Sequence, residues 1–274
     1  MCRVLPLWFM YGFMACIVPF YTISRRMESS AMYRYLRRRQ HHSAPVAFFL
    51  VLASQLRFGQ IIVDRFARYA GKKFNITIDG FDEFLKMSAG KEGFVQLSSH
   101  VGNYEMAGYC LPADHKQMNA LVFAGETEVV MSHKQRTLLG NNIRLIPMSE
   151  DMSHIFTLNN ALADGEIVSM PGDRIFGSQK CLECDFLGAR ADFPLGPFAL
   201  AVQRGVKVLA VFCMKSGYSS YHVMCVPLAL TPGQQNLNAR AKMSALAQMF
   251  ADELSRVVRL YPLQWFNYYD FWKD

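Results

Sequence analysis

Acidic residues are almost missing from the first 75 positions of this 274-residue chain, where Glu28 and Asp64 stand against twelve Lys/Arg. The whole chain carries a formal charge of +7, so the rest is mildly acidic and the positive charge is concentrated at one end. A basic leading third suits an anionic partner, either lipid headgroups or nucleic acid. Periodic glycine and proline are missing too. The 18 Gly and 11 Pro are scattered, which excludes collagen-like and low-complexity classes, and there is no internal repeat. Paired cysteine is lacking: the seven Cys are odd in number and lie mostly in apolar runs, as reduced thiols in a cytosol-facing body do. Cys181 and Cys184 form a lone C-x-x-C, without the second pair or His pair that zinc would want, so no metal is expected. No Gly/Ser or Pro-rich linker divides the body. At 51% hydrophobic and 19% charged, the chain buries enough surface to exclude disorder as its main state.

Charge is wholly absent between Arg3 and Arg25, across an apolar stretch that includes Trp8, Phe9, Phe13, Ile17 and Phe20. About 20 apolar residues in a helix span the hydrocarbon layer. Pro6 and Pro19 fall near the ends, and Trp8, Tyr11 and Tyr21 suit the interfaces. No small-x-small cleavage site surrounds Tyr21-Thr22-Ile23-Ser24, which argues against a signal peptide; a buried helix is the rival reading. Tyr33, Tyr35 and Leu36 then interleave with Arg34 and Arg37–Arg39, a basic amphipathic stretch drawn to anionic headgroups by ~1 kcal/mol per residue. No nucleic-acid motif accompanies it. The expected organisation is a membrane anchor with its basic segment over 1–40, lying in or across the bilayer, and one domain over 41–274 on the cytoplasmic side.

The body has α/β texture. Residues 45–70 are helical in period. Strands are expected near 74–78, 93–97, 121–123, 143–146, 167–170, 206–214 and 221–230. Helices are expected from Asn103, near 127–138, from Asp151 or Ser153 to Ala163, and over about 235–260. This alternation predicts a central, mostly parallel sheet flanked by helices.

Chemistry concentrates in Ser98-Ser99-His100-Val101-Gly102-Asn103-Tyr104-Glu105, where a strand runs out before a helix, the place where α/β folds put ligands. His100 is a candidate general base. Glu105, five positions on, is expected to receive the other ring nitrogen's proton. The serines lack a G-x-S-x-G elbow and read as loop or cap residues. Pro171-Gly172-Asp173-Arg174 places a cation at the same sheet edge, and Lys215 closes the strand near 206–214; each cation is a ligand contact or an ion-pair partner.

The ordered set of H-x4-E, G-D-R at 172–174, F-L-G at 186–188 and F-P-x-G-P at 193–197 resembles the lysophospholipid/glycerolipid acyltransferase superfamily. Within it, the chain is most similar to the bacterial lipid A biosynthesis (lauroyl/myristoyl) acyltransferases, whose signature S-S-H-V-G-N-Y-E approaches. The ending from Gln264 to Trp272 resembles a subgroup of such enzymes, and the likeness covers about residues 45–272. That family often has D-Q where this chain has Asp173-Arg174. The resemblance implies the fold described above and a membrane-associated O-acyltransferase. It implies an acyl donor thioester of acyl carrier protein or coenzyme A, and a lipid or glycolipid hydroxyl as acceptor, with no metal or other cofactor. By the same resemblance, His100 is the base, Glu105 orients it, and Arg174 holds an anionic group with Asp173 beside it. Asn103, Gly196 and Lys215 complete the substrate contacts, and the expected location is the cytoplasmic face of a bacterial inner membrane. The rival expectations are an acyl-thioester hydrolase and a non-catalytic, membrane-docked recruitment protein.

Overall fold

The structure is a computed structural model that describes residues 5–111, 116–122, 142–149, 151–175 and 180–272. Its centre is a seven-stranded sheet in the order β1-β9-β8-β2-β5-β3-β4. The strands are β1 (Asn75–Asp79), β2 (Phe94–Ser98), β3 (Met118–Val122), β4 (Ile143–Pro147), β5 (Ile167–Pro171), β8 (Lys207–Lys215) and β9 (Ser220–Leu228). Every neighbouring pair is parallel except β8 with β9. This is the mostly parallel sheet that the sequence predicts. The helix expected near 127–138 lies outside the described residues.

The central strands are mostly apolar because both faces of the sheet are covered. Their side chains alternate between two cores. Val95 and Leu97 of β2, Val168 and Met170 of β5, and Val208, Ala210, Phe212 and Met214 of β8 enter one core. Phe94, Ile167, Leu209, Val211 and Cys213 enter the other. The first face is covered chiefly by helices α6 (Ser153–Ala163), α7 (Leu195–Arg204) and α9 (Ala239–Leu260) and by a hairpin of β6 (Cys181–Phe186) with β7 (Ala189–Pro194). Helices α4 (Phe81–Ala89) and α5 (Tyr104–Cys110) cover the second.

The hairpin has no counterpart among the sequence expectations. Leu187 and Gly188 both take positive φ, 49° and 80°, as a two-residue turn between right-twisted strands requires. The F-L-G block is therefore a turn. Phe186 packs on Trp265 and Phe271, and Phe193 on Phe271, so these aromatics belong to one core. Cys181 and Cys184, three apart on β6, point to opposite faces of the ribbon and cannot close on one metal. Burial pushes the Cys184 thiol up to about 12.

At the leading end, α1 (Leu7–Ser24), α2 (Arg26–Arg38) and α3 (Ala44–Tyr69) form a unit against the body. Tyr11 bonds to Asp64 and Thr22 to Gln55, so α1 lies antiparallel along α3. Met32, Tyr35 and Leu36 of α2 enter the first core beside Ala47 and Val51 of α3. Both α1 and α3 are long and apolar enough to cross a membrane. They leave Trp8, Phe9, Phe13, Phe20, Phe48 and Phe49 exposed.

Candidate active site

The site grows from the carboxyl end of β2. Ser98 of β2 pairs in register with Pro171 of β5, so the chain segments leaving these two parallel strands run side by side. Two residues beyond each partner stand His100 and Asp173, and they meet. The His100 ring Nδ1 lies 2.8 Å from Asp173 Oδ1, and the His100 backbone N–H donates to Oδ2 at 2.7 Å. A carboxylate can only accept, so Nδ1 carries the proton and Nε2 keeps its lone pair. That is the tautomer a general base needs. Asp173 is buried, while the His100 side chain keeps 24% of its surface.

Backbone contacts fix the His100 loop from both sides. The Gly102 N–H donates to the Gln264 carbonyl at 2.8 Å, the Asn103 N–H to Cys213 at 2.7 Å, and the Phe266 N–H to the His100 carbonyl at 2.9 Å. Gly102 has φ +56°, and a Cβ there would stand 2.1 Å from the Cys213 oxygen, so only glycine fits. The C-terminal segment at 264–266 therefore clamps the loop that carries the histidine.

The expectation that Glu105 orients His100 is corrected. Arg65 and Tyr69, both on α3, hold Glu105: Arg65 Nη1 lies 3.3 Å from Oε1, and the Tyr69 hydroxyl donates to Oε2 at 2.6 Å. Among the described contacts none joins Glu105 to His100. The cause is electrostatic, because Arg65, its side chain 19% exposed, requires a carboxylate partner.

Two further expected substrate contacts are structural. Lys215 is 3% exposed, and its Nζ lies 2.6 Å from Asp64 Oδ2 while donating to the Tyr218 carbonyl at 2.8 Å. Burial lowers its pKa and Asp64 opposes that shift. No surface remains for a ligand. Asn103 is fully buried as the N-cap of α5, accepting from the Met106 N–H at 3.3 Å and from Arg65 Nε at 3.2 Å. Gly196 lines a cavity, and a Cβ built there would meet nothing within 4 Å.

Two cavities meet at His100, and a third adjoins them at Arg174. A cleft of about 720 Å³ is lined by His100, Arg65, Tyr104, Arg174, Phe266 and Tyr269 among others. A second, of about 330 Å³, also reaches His100 and runs past Glu105, Ala107, Gly108, Ala120, Leu121, Ile143 and Val211, a mostly apolar lining. A third, of about 680 Å³, is walled by Met148, Ile155, Leu158, Gly196 and Leu200. Arg174 lines all three and sits 5.2 Å over the Tyr269 ring. Sequence reasoning placed Asp173 only beside Arg174 and missed Arg65, Tyr69 and the clamp at 264–266. The signal for Asp173 was the G-D-R block after β5, which becomes readable once β5 is known to adjoin β2.

Phosphatidylinositol mannoside acyltransferase of Mycobacterium tuberculosis (strain ATCC 25618 / H37Rv) is 24% identical over 201 residues, covering 72% of this chain. The chain spans 60% of that relative's length, and the same figures hold for the protein of strain CDC 1551 / Oshkosh. Among solved structures, the 1-acyl-sn-glycerophosphate (LPA) acyltransferase of Thermotoga maritima aligns over 94% of this chain and 96% of its own, with a TM-score of 0.39 and 13% identity. Residues 58–274 match the profile of the bacterial lipid A biosynthesis acyltransferases. That match begins within α3 and takes in the whole sheet, and the chain belongs to that family.

Proposed function

We propose that this protein transfers a fatty acyl group from a thioester to the hydroxyl of a lipid or glycolipid at a membrane surface. The carrying observation is that His100, its Nδ1 bonded to buried Asp173, stands where a solvent-open cleft and an apolar cavity meet. A transferase needs that junction, since acceptor and acyl chain must approach one base from two directions. Nε2 takes the hydroxyl proton as the acceptor oxygen attacks the thioester carbonyl. The tetrahedral intermediate then expels the thiolate, which takes the proton back from the imidazolium. Asp173 holds the ring and stabilises its charged form. Arg174, between the cavities, suits an anionic group of donor or acceptor. The thiol leaving group belongs to acyl carrier protein or coenzyme A, and the reaction so written uses no other cofactor.

The membrane supplies the acceptor. α1 carries no charge and exposes apolar side chains along its length, while its other side is bonded to α3 at both ends. A helix held so fits lying in the interface plane better than crossing. The arginines of α2 and the use of a thioester donor support a body that works on the cytoplasmic face of an inner membrane. Purified protein with a fatty acyl thioester and lysolipid acceptors in detergent tests the assignment. Acylated acceptor that disappears with His100→Ala supports transfer. Thioester loss independent of acceptor identifies a hydrolase, and no turnover at all favours a recruitment protein.

A further inference from the structure

The cavity that runs from His100 past α5 is mostly apolar, yet one row of the sheet beneath it is not. Gln96 of β2 stands in register with Ser169 of β5 on one side and Leu209 of β8 on the other, and Ser169 stands in register with Ala120 of β3. Alternation along the strands turns this row to the second face, and Gln96, Ser169 and Ala120 line the cavity. The next row away from His100 is apolar, made of Phe94, Ile167 and Met118, and Met118 still lines the cavity. The polar row therefore lies part-way along the cavity. Gln96 is 4% exposed, and its Nε2 lies 3.4 Å from the Ser169 Oγ, a long bond. Its Oε1 has no hydrogen-bond partner among the described residues. Turning the amide over strands the nitrogen instead. A half-paired amide buried between apolar neighbours is unfavourable, so this row is built to pair with something that enters the cavity.

We propose that this cavity selects a fatty acyl chain carrying a hydroxyl, which Gln96 and Ser169 bind part-way along its length; this rests on the acyl-transfer function above. A hydroxyl both donates and accepts. It donates to Gln96 Oε1 and accepts from Ser169 Oγ, and it serves the turned-over amide equally well. A keto group only accepts and would leave Oε1 stranded. An unsubstituted chain would lay methylenes against the amide and strand it outright. Gln96 precedes Ser98 by two residues and His100 by four, so at ~3.3 Å per residue the row lies roughly 7–13 Å from the base. An extended chain advances roughly 1.2 Å per bond, which puts the hydroxyl at about carbons 6 to 10 of the acyl group. A hydroxyl beside the thioester, at carbon 3, would fall short of it.

The full chain is given dodecanoyl thioesters, unsubstituted or hydroxylated at carbon 3, 6, 8 or 10, with one lysolipid acceptor, each donor supplied on coenzyme A and on acyl carrier protein. At least one of the 6-, 8- and 10-hydroxy donors is expected to exceed the unsubstituted donor roughly tenfold in kcat/KM. Gln96→Leu, close in volume, should reverse that preference, and its thermal midpoint should not fall, because no half-paired amide remains. Ser169→Ala should remove part of the preference. Wild type that favours the unsubstituted chain, treats all donors alike or favours only the 3-hydroxy donor overturns the proposal; equal treatment is also what a water held permanently on Gln96 would give. An undiminished preference for the deep hydroxyl overturns it as well, in Gln96→Leu folded by circular dichroism or, should that variant not fold, in Ser169→Ala. His100→Ala separates the two claims. Transfer surviving in it, or no transfer by wild type from any donor, refutes the acyl-transfer function. Calorimetric binding of 8-hydroxydodecanoic against dodecanoic acid then still tests the row: tighter binding of the hydroxy acid, lost in Gln96→Leu, supports it, and equal binding overturns it.

Discussion

Two acid–base pairs stand near the carboxyl ends of the central strands, and what surrounds them differs. His100 with Asp173 is 2.8 Å apart, and the imidazole retains 24% of its surface at the meeting of two cavities. Lys215 with Asp64 is 2.6 Å apart, and the two side chains retain 1% and 0%. Tyr11 and Tyr221 also bond Asp64, so the second pair ties α1 and α3 to β8 and β9. Similar distances thus serve opposite ends. An acid that fixes one ring nitrogen and leaves the other facing space builds a base; an acid whose oxygens are all taken inside protein builds a joint. Both pairs join a cation-forming side chain at a strand end to a carboxylate, so only access tells them apart.

The contrast can be broken experimentally. His100→Ala is expected to cost the most, roughly 100- to 10,000-fold or more in transfer rate, the range for removing a general base. Thiol release from the acyl donor would measure this, with the thermal midpoint near that of wild type. Asp173→Asn should come next. An amide on Nδ1 favours the wrong tautomer, and in a serine protease triad such a change costs about 10,000-fold; loss of at least 100-fold with the fold retained is expected here, on the scale of general-base catalysis. Lys215→Met should spare the chemistry and strike stability instead, by roughly 3–5 kcal/mol in urea unfolding, because Asp64 is left buried and charged without its cation. Replacing both partners, with Asp64→Leu added, should recover most of that loss. The smallest expected effect is Glu105→Gln: a loss of about 1–3 kcal/mol of stability from weakening the Arg65 contact, with transfer within tenfold of wild type.

Much of this molecule could be read without coordinates, for reasons visible in particular elements. The strands β2, β5 and β8 are mostly apolar on both faces, and helices such as α9 keep a clean period, so their residue types name them. The hairpin of β6 and β7 went unseen because its strands alternate with charged residues and its Leu187-Gly188 turn lacks the usual Asn or Asp. At the site, His100 was evident from its place after a strand. Its partner was misassigned because H-x4-E gives sequence spacing, whereas contact depends on which strand lies beside β2. Lys215 and Asn103 were taken for ligand contacts for a similar reason. A cation or amide at a strand end looks the same in sequence whether it faces a cavity or the back of α3.

The most direct test sets Asp173→Asn beside Glu105→Gln in single-turnover acyl transfer, each variant first shown to be folded. The dyad described here predicts a severe loss in the first and a mild one in the second. Near wild-type transfer by Asp173→Asn with an inactive Glu105→Gln would contradict it.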